Sequence, residues 1–561
     1  MKKFVVLALF GLLIMAFSGM AYAQKLEFKA SGTIDFDTVW EQNVPFYFGA
    51  VATAQGAHNG LFQTWTTPSF RTDNGHATAG LDHTAAYAYS RGVLKFDAIM
   101  DKNLSGTIMF ELDALRWGAA TAGNLTQASM RNNMGSWSTD QAGVEIKNVY
   151  FDVGLPYFGV PVPMTVRIGI QPFGVRPHVF LYTDGAGITG GIQAGPVMII
   201  PMWAKMLEGS DFAADDNDVY GLHVNAKLGT FTVGGYGLYY NMNTYPLQYM
   251  TGYSFGGGFS TSASYGLTIP GTQRAAMWWF GLYADGKAGP VNLNLDLVFD
   301  WGKERQKLAT SPESPLTPDV KYSGWAGRAK IDFPWEKFNF GMVGMYASGS
   351  DANKTSTSGI AGSSVANRYL GSNPAYPTSR RVDGYVVPPG SEQSPAAGGL
   401  NESIVMYSCF NAQADGGSGI AQAGNYQQMS RGSLGGTAFI KGYGSMKLAP
   451  WYKVTLQGLY IWDTTSHGNT FGTAVKNPSS PWIFQILKDD NDIGFELDLI
   501  QEIDIYKNLK GFIGIGYLWA GKALDVYNGS GASPAAPSTY AGRNYSPNNP
   551  WNITTRLLYT F

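Results

Sequence analysis

From Lys25 the chain alternates strictly. Leu26, Phe28, Ala30, Gly32, Ile34 and Phe36 fall on one side, while Lys25, Glu27, Lys29, Ser31, Thr33, Asp35 and Asp37 fall on the other. A period of two with one apolar and one charged face predicts a β-strand whose faces meet different surroundings. The pattern then returns as hairpins. Leu94, Phe96 and Ala98 lead through a tight turn at Asp101, Lys102 and Asn103 into Ile108, Phe110 and Leu112, with Lys95, Asp97, Thr107, Glu111 and Asp113 on the opposite face. Equivalent pairs run from Leu222 to Ala226 into Phe231 and Val233, and from Phe280 to Ala284 into Leu293 to Phe299. Others run from Trp325 to Phe333 into Phe338 to Tyr346, from Ile440 to Leu448 into Val454 to Tyr460, and from Ile493 to Ile505 into Phe512 to Trp519. A last strand runs from Trp551 to Phe561.

Four further segments, centred near Lys147, Ile168, Ile192 and Ile199, bring the count to eighteen; without the last two, which Pro196 and Pro201 interrupt, it is sixteen. Asn148 and Asp152 are out of phase with Glu145 and Lys147, which predicts a β-bulge between them. Connections alternate between turns of a few residues and long polar segments such as 41–86, 242–274, 349–435 and 522–549. That asymmetry predicts an all-β fold: a transmembrane antiparallel up-and-down β-barrel with short periplasmic turns and long extracellular loops. Trp335, Trp451, Tyr452 and Tyr506 beside the turns, and Trp40, Trp301, Trp462 and Trp519 beside the loops, fit two interfacial aromatic girdles.

Composition agrees. Only 14% of the 561 residues are charged, 14% are aromatic, and 71 are glycine, a profile unlike either a charged soluble globule or a helical membrane protein. A formal net charge of −2 gives no reason to expect nucleic acid. Lys2 and Lys3, the apolar run from Phe4 to Phe17 and the small-residue site at Ala21, Tyr22 and Ala23 read as a signal peptide over 1–23, leaving one barrel over 24–561. The single cysteine, Cys409, cannot form an intramolecular disulfide.

The terminal segment from Trp551 to Phe561 resembles the last strand of bacterial outer-membrane proteins, with Phe561, Tyr559, Leu557 and Ile553 in one phase and Thr555 departing from it. In that family such a terminus is the signal read by the barrel assembly machinery. The hairpin from Val93 to Asp113 and the stretch from Phe495 to Leu518 are similar to the repeated hairpins of large porins, notably those of anaerobic and metal-reducing proteobacteria. The resemblance implies a Gram-negative outer-membrane location, contact with lipid, passage of small hydrophilic solutes and ions by diffusion, and a homotrimer.

The polar faces then line a water-filled lumen. Pore-lining candidates are Glu111, Asp113, Arg167, Lys227, Asp296, Arg328, Lys330, Lys441, Glu496 and Asp498. Acids gather on the first three strands and near Glu496, and bases near Arg328 and Lys441, which suggests a transverse field across the pore. The longest loop, 349–435, carries the constriction candidates Arg380, Arg381 and Asp383, and either folds into the pore or caps it. The histidines and acids show no metal-site or enzyme motif, so no metal, cofactor or catalytic residue is expected. The alternative functions are a barrel sheathing a partner such as an electron-transfer protein, and a surface adhesin.

Overall fold

In a computed structural model, the structure describes residues 26–42, 71–73, 76–78, 84–117, 144–155, 162–208, 215–245, 273–306, 320–351, 381–388, 391, 402–407, 435–470, 472, 474–477, 488–528, 543–546 and 548–561. The expected signal peptide, Arg380 and Cys409 lie outside them, as does the side chain of Asp113.

Eighteen long antiparallel strands among the described residues close into one barrel. They are β1 (Glu27–Gln42), β2 (Thr84–Asp101), β3 (Leu104–Arg116), β4 (Val144–Leu155), β5 (Met164–Val175), β6 (Leu181–Ala194), β7 (Val197–Leu207), β8 (Asn217–Leu228) and β9 (Phe231–Tyr245). The circuit continues through β10 (Gln273–Ala288), β11 (Val291–Gln306), β12 (Trp325–Trp335), β13 (Phe338–Ala347), β14 (Thr437–Ala449), β15 (Tyr452–Asp463), β16 (Asp492–Tyr506), β17 (Leu509–Ala520) and β18 (Trp551–Thr560). Each pairs with its neighbours in sequence, and β1 pairs with β18 from Thr33↔Thr560 to Gln42↔Trp551. Closure leaves no strand edge unpaired, the condition for a sheet in a bilayer.

The sequence alternation becomes an inside-out burial pattern. On β1, Phe28, Ile34, Phe36 and Trp40 are exposed, while Asp35, Asp37 and Glu41 are buried. The terminal rung is snug: Gly32 and Phe561 exchange both backbone hydrogen bonds, at 2.9 and 3.0 Å, and the Phe561 ring lies over Gly32. A β-carbon at Gly32 would come within 2.7 Å of Phe561 Cζ and collide with the Val93 carbonyl. Phe561 also stacks on Tyr559, with ring centroids 5.6 Å apart.

The interrupted segments are strands, so the count of sixteen falls. Pro196 sits in the β6–β7 turn, and Pro201 lies within β7 where the ladder to β6 skips from Thr189↔Met202 to Ile192↔Ile199. Its missing N–H therefore falls in a gap, and Gly190 opposite makes room for its ring. The predicted bulge is present: Met109 faces Asn148 and Phe110 faces Ile146, leaving Lys147 as the extra residue. One connection departs from the expected asymmetry, because β5 and β6 join on the loop side through only residues 176–180.

Candidate functional site in the barrel lumen

The lumen wall changes character along its length. Near the turns its charged side chains reach water, as with Arg167 and Asp152 (35% and 37% exposed) or Lys453 and Glu502 (37% each). Lys227 is also exposed there. Toward the loops the same faces are covered, with Glu496 and Asp498 at 0%. Many covered wall residues on β9, β10, β13 and β15 are apolar, among them Leu238, Met242, Met277, Trp279, Val343, Met345, Leu459 and Ile461. A polar lumen throughout was the expectation. The apolar stretch exists because chain segments fold inward and pack on it.

The first inward segment is the short β5–β6 connection. Arg176, at a φ of 46°, turns it toward the far wall and bridges two carboxylates. Its Nη1 and Nη2 lie 2.5 and 3.0 Å from the two oxygens of Asp285, and its Nε donates to Asp296. His178 Nε2 lies 2.6 Å from the other Asp296 oxygen. Phe180 stacks on Tyr236 at 4.7 Å. Two carboxylates on adjacent strands suit a planar guanidinium fork, which serves both at once.

The second comes from the long loop. The short strand Val320–Tyr322 pairs with β11 and, in parallel, with Arg381–Val382, which brings the chain over the rim. Beyond it, the Val386 N–H donates to Asp300 Oδ2 (3.0 Å) and the Trp279 indole N–H to the Val386 carbonyl (2.8 Å). The two inward segments brace each other: Tyr385 Oη donates to the Val179 carbonyl and Ser391 Oγ to the Phe180 carbonyl, both at 2.9 Å.

Residues 402–407 return to the lumen and are completely covered on their apolar members Ile404 to Tyr407. Glu402 is the hub. Arg328 donates to its Oε1 from Nε (2.9 Å) and Nη2 (2.6 Å), and Lys441 pairs with its Oε2. Its backbone carbonyl accepts from Lys441 (2.9 Å) and Gln457 (3.0 Å). Burial alone would raise the Glu402 carboxyl, but the Lys441 and Arg328 cations overcome it and hold it well below the usual carboxylate range. Next along, the amides of Val405 and Met406 donate to Glu496 at 2.6 and 3.0 Å, and that of Ile404 donates to Asp498 at 3.2 Å. Ile404 sits over Gly514 and Gly516 of β17, where a β-carbon would meet it at 2.8 and 2.7 Å.

These contacts rearrange the predicted site. Arg328, Lys441, Glu496 and Asp498 converge on one loop segment, and Asp296 holds the β5–β6 connection. Arg328 and Lys441 share the single carboxylate of Glu402, while Glu111 is shared by Arg91 and Lys147, so each of these sets is an ion-paired cluster rather than a row of free charges. Lys330 pairs with Asp332 at 3.4 Å. Arg381 and Asp383 pair with each other at 2.5 Å beside Ser323, with Arg381 57% exposed, and so lie at the rim rather than on the inward segment. Arg176, His178 and Glu402 were missed, since nothing local to them signals contacts 39 to 120 residues away.

The fold is a closed eighteen-stranded antiparallel barrel. No family model matches the chain, and no curated protein matches it. Solved structures with a similar course include OpdQ of Pseudomonas aeruginosa (8% identity, TM-score 0.44, covering 95% of this chain and 98% of that one). A BenF-like porin from Pseudomonas fluorescens Pf-5 gives 9%, 0.43, 95% and 98%. The outer-membrane protein OpdK of P. aeruginosa gives 8%, 0.41, 95% and 99%.

Proposed function

We propose that the protein is an outer-membrane diffusion channel for small hydrophilic solutes and ions, exported by its signal peptide and closed at Phe561 after recognition by the assembly machinery. The observation that carries this reading is the two-level lumen: a water-reaching charged wall toward the turns, narrowed toward the loops by two inward segments. Such a layout places a constriction across an aqueous barrel, where selectivity in a pore is set. The turns then face the periplasm and the loops the exterior. A threaded partner protein would have to displace the chain's own segments from the cross-section they occupy, which disfavours the sheath alternative.

Liposome swelling with purified protein and neutral sugars of increasing size tests the proposal. Swelling that declines steeply with sugar size is expected, and no swelling with any sugar or salt would refute it. Cross-linking in native membranes tests the homotrimer.

A further inference from the structure

On the lumen face of the β18–β1–β2 seam, three successive strands place Arg556, Asp37 and Tyr89 directly opposite one another, because Asp37 pairs in register with Arg556 on one side and Tyr89 on the other. The surrounding charges are already committed. Arg556 binds Asp35 through both its Nε and Nη2, Arg91 binds Glu111, and Lys147 is shared between Glu111 and Asp184. Asp37 is left out: its Oδ1 has no hydrogen-bond partner, and Arg556 Nε stands 4.0 Å away. Tyr89 Oη beside it also has no partner. Both residues are more than nine-tenths buried, at 3% and 2% exposed.

An unpartnered buried carboxylate oxygen is costly, and natural proteins keep one where something else completes it. The wall around it is aromatic. Tyr87 and Tyr89 stack with ring centroids 6.4 Å apart, on the same face as Asp37. Four residues further toward the loops, roughly 13 Å along the strand, Asn552 presents a second buried acceptor, Oδ1, without a partner beside Glu41. The covered acceptors and the two rings thus follow one lane of the seam, on the same face of the wall.

We infer that this lane, centred on Asp37 and Tyr89, binds the ammonium group of small organic cations during their passage. A protonated amine brings the N–H donors that Asp37 Oδ1 lacks and a charge that aromatic faces attract. A metal ion fits less well, because no cluster of three metal-ligating side chains occurs among the described residues. The inference rests on the channel reading for its purpose, but its binding test does not require conduction.

Propylammonium chloride is the probe, with sodium chloride as the control. Isothermal titration of the detergent-solubilised protein should show saturable binding of propylammonium, weakened about tenfold or more in Asp37→Asn. Tyr89→Leu, which removes ring and hydroxyl together, should weaken it as well, and Tyr89→Phe should weaken it less. In planar bilayers the same probe should interrupt the wild-type current, and Asp37→Asn should relieve the interruptions. If Asp37→Asn does not assemble, the two Tyr89 variants decide. Wild-type binding no tighter for propylammonium than for sodium, or binding unchanged in the assembled variants, overturns the site. Binding as expected without conduction would instead remove the channel reading and leave the site standing.

Discussion

Truncating Glu402 to alanine should release the inward loop segment while leaving the barrel closed. The carboxylate pairs with both Arg328 and Lys441, whose side chains are only 8% and 6% exposed, so its removal strands two buried cations. Breaking a buried pair in this way costs about 3–5 kcal/mol. Because the barrel wall is held by its own ladder, the cost falls on docking of residues 402–407. At about 1.4 kcal/mol per tenfold, the undocked population should rise roughly a hundredfold to a few thousandfold. The assay is thiol labelling of Met406→Cys, a fully covered position, in a Cys409→Ser background, with and without Glu402→Ala. Labelling should be slow with Glu402 and faster by that factor without it, and Glu402→Gln, which keeps some hydrogen bonds but not the charge, should fall between. Equal labelling rates in assembled proteins would refute the view that Glu402 anchors the loop.

The pH dependence of the same anchor has a defined sign. The folded carboxyl is held below its unfolded value of about 4.3, so its contribution is complete above that value and is lost only as pH falls through the lower folded one. The extra protection from hydrogen exchange that Glu402 gives residues 402–407 over Glu402→Gln should stay constant from about pH 7 to about pH 5; its loss near pH 6 would contradict this. Arg176→Ala leaves Asp285 and Asp296 facing each other without their bridge and should lower the unfolding temperature and enlarge single-channel conductance. Arg176→Lys should restore little, because an ammonium cannot span both carboxylates as the fork does. Gly32→Val should reduce the heat-modifiable, folded fraction on gels. Phe561→Ala should rescue it only partly, since the Val93 carbonyl also blocks the new side chain.

The wall was legible in the sequence because each strand reports its own environment: the alternation of Phe28, Ile34 and Phe36 with Asp35 and Asp37 needs no distant partner to be read. The bulge at Lys147 was legible for the same reason, as a break in phase. The lumen contents were not. Glu402 lies in a polar loop, and its partners Arg328 and Lys441 look like ordinary lining charges until the loop is placed between them. The one trace was the run Gly511, Phe512, Ile513, Gly514, Ile515, Gly516, whose last two glycines fall on the lumen face where Ile404 seats. Arg381 and Asp383 drew attention as charges in the longest loop, yet adjacent opposite charges satisfy each other at the surface.

The proposed channel is a closed barrel that conducts through a lumen narrowed by its own segments. Single-channel recording of the purified wild-type protein in a planar bilayer tests it most directly, with the Glu402→Ala protein recorded alongside. Stable discrete conductance steps are expected in the wild type, and larger or noisier steps in the variant. A wild-type barrel that inserts fully folded and passes no current would contradict it.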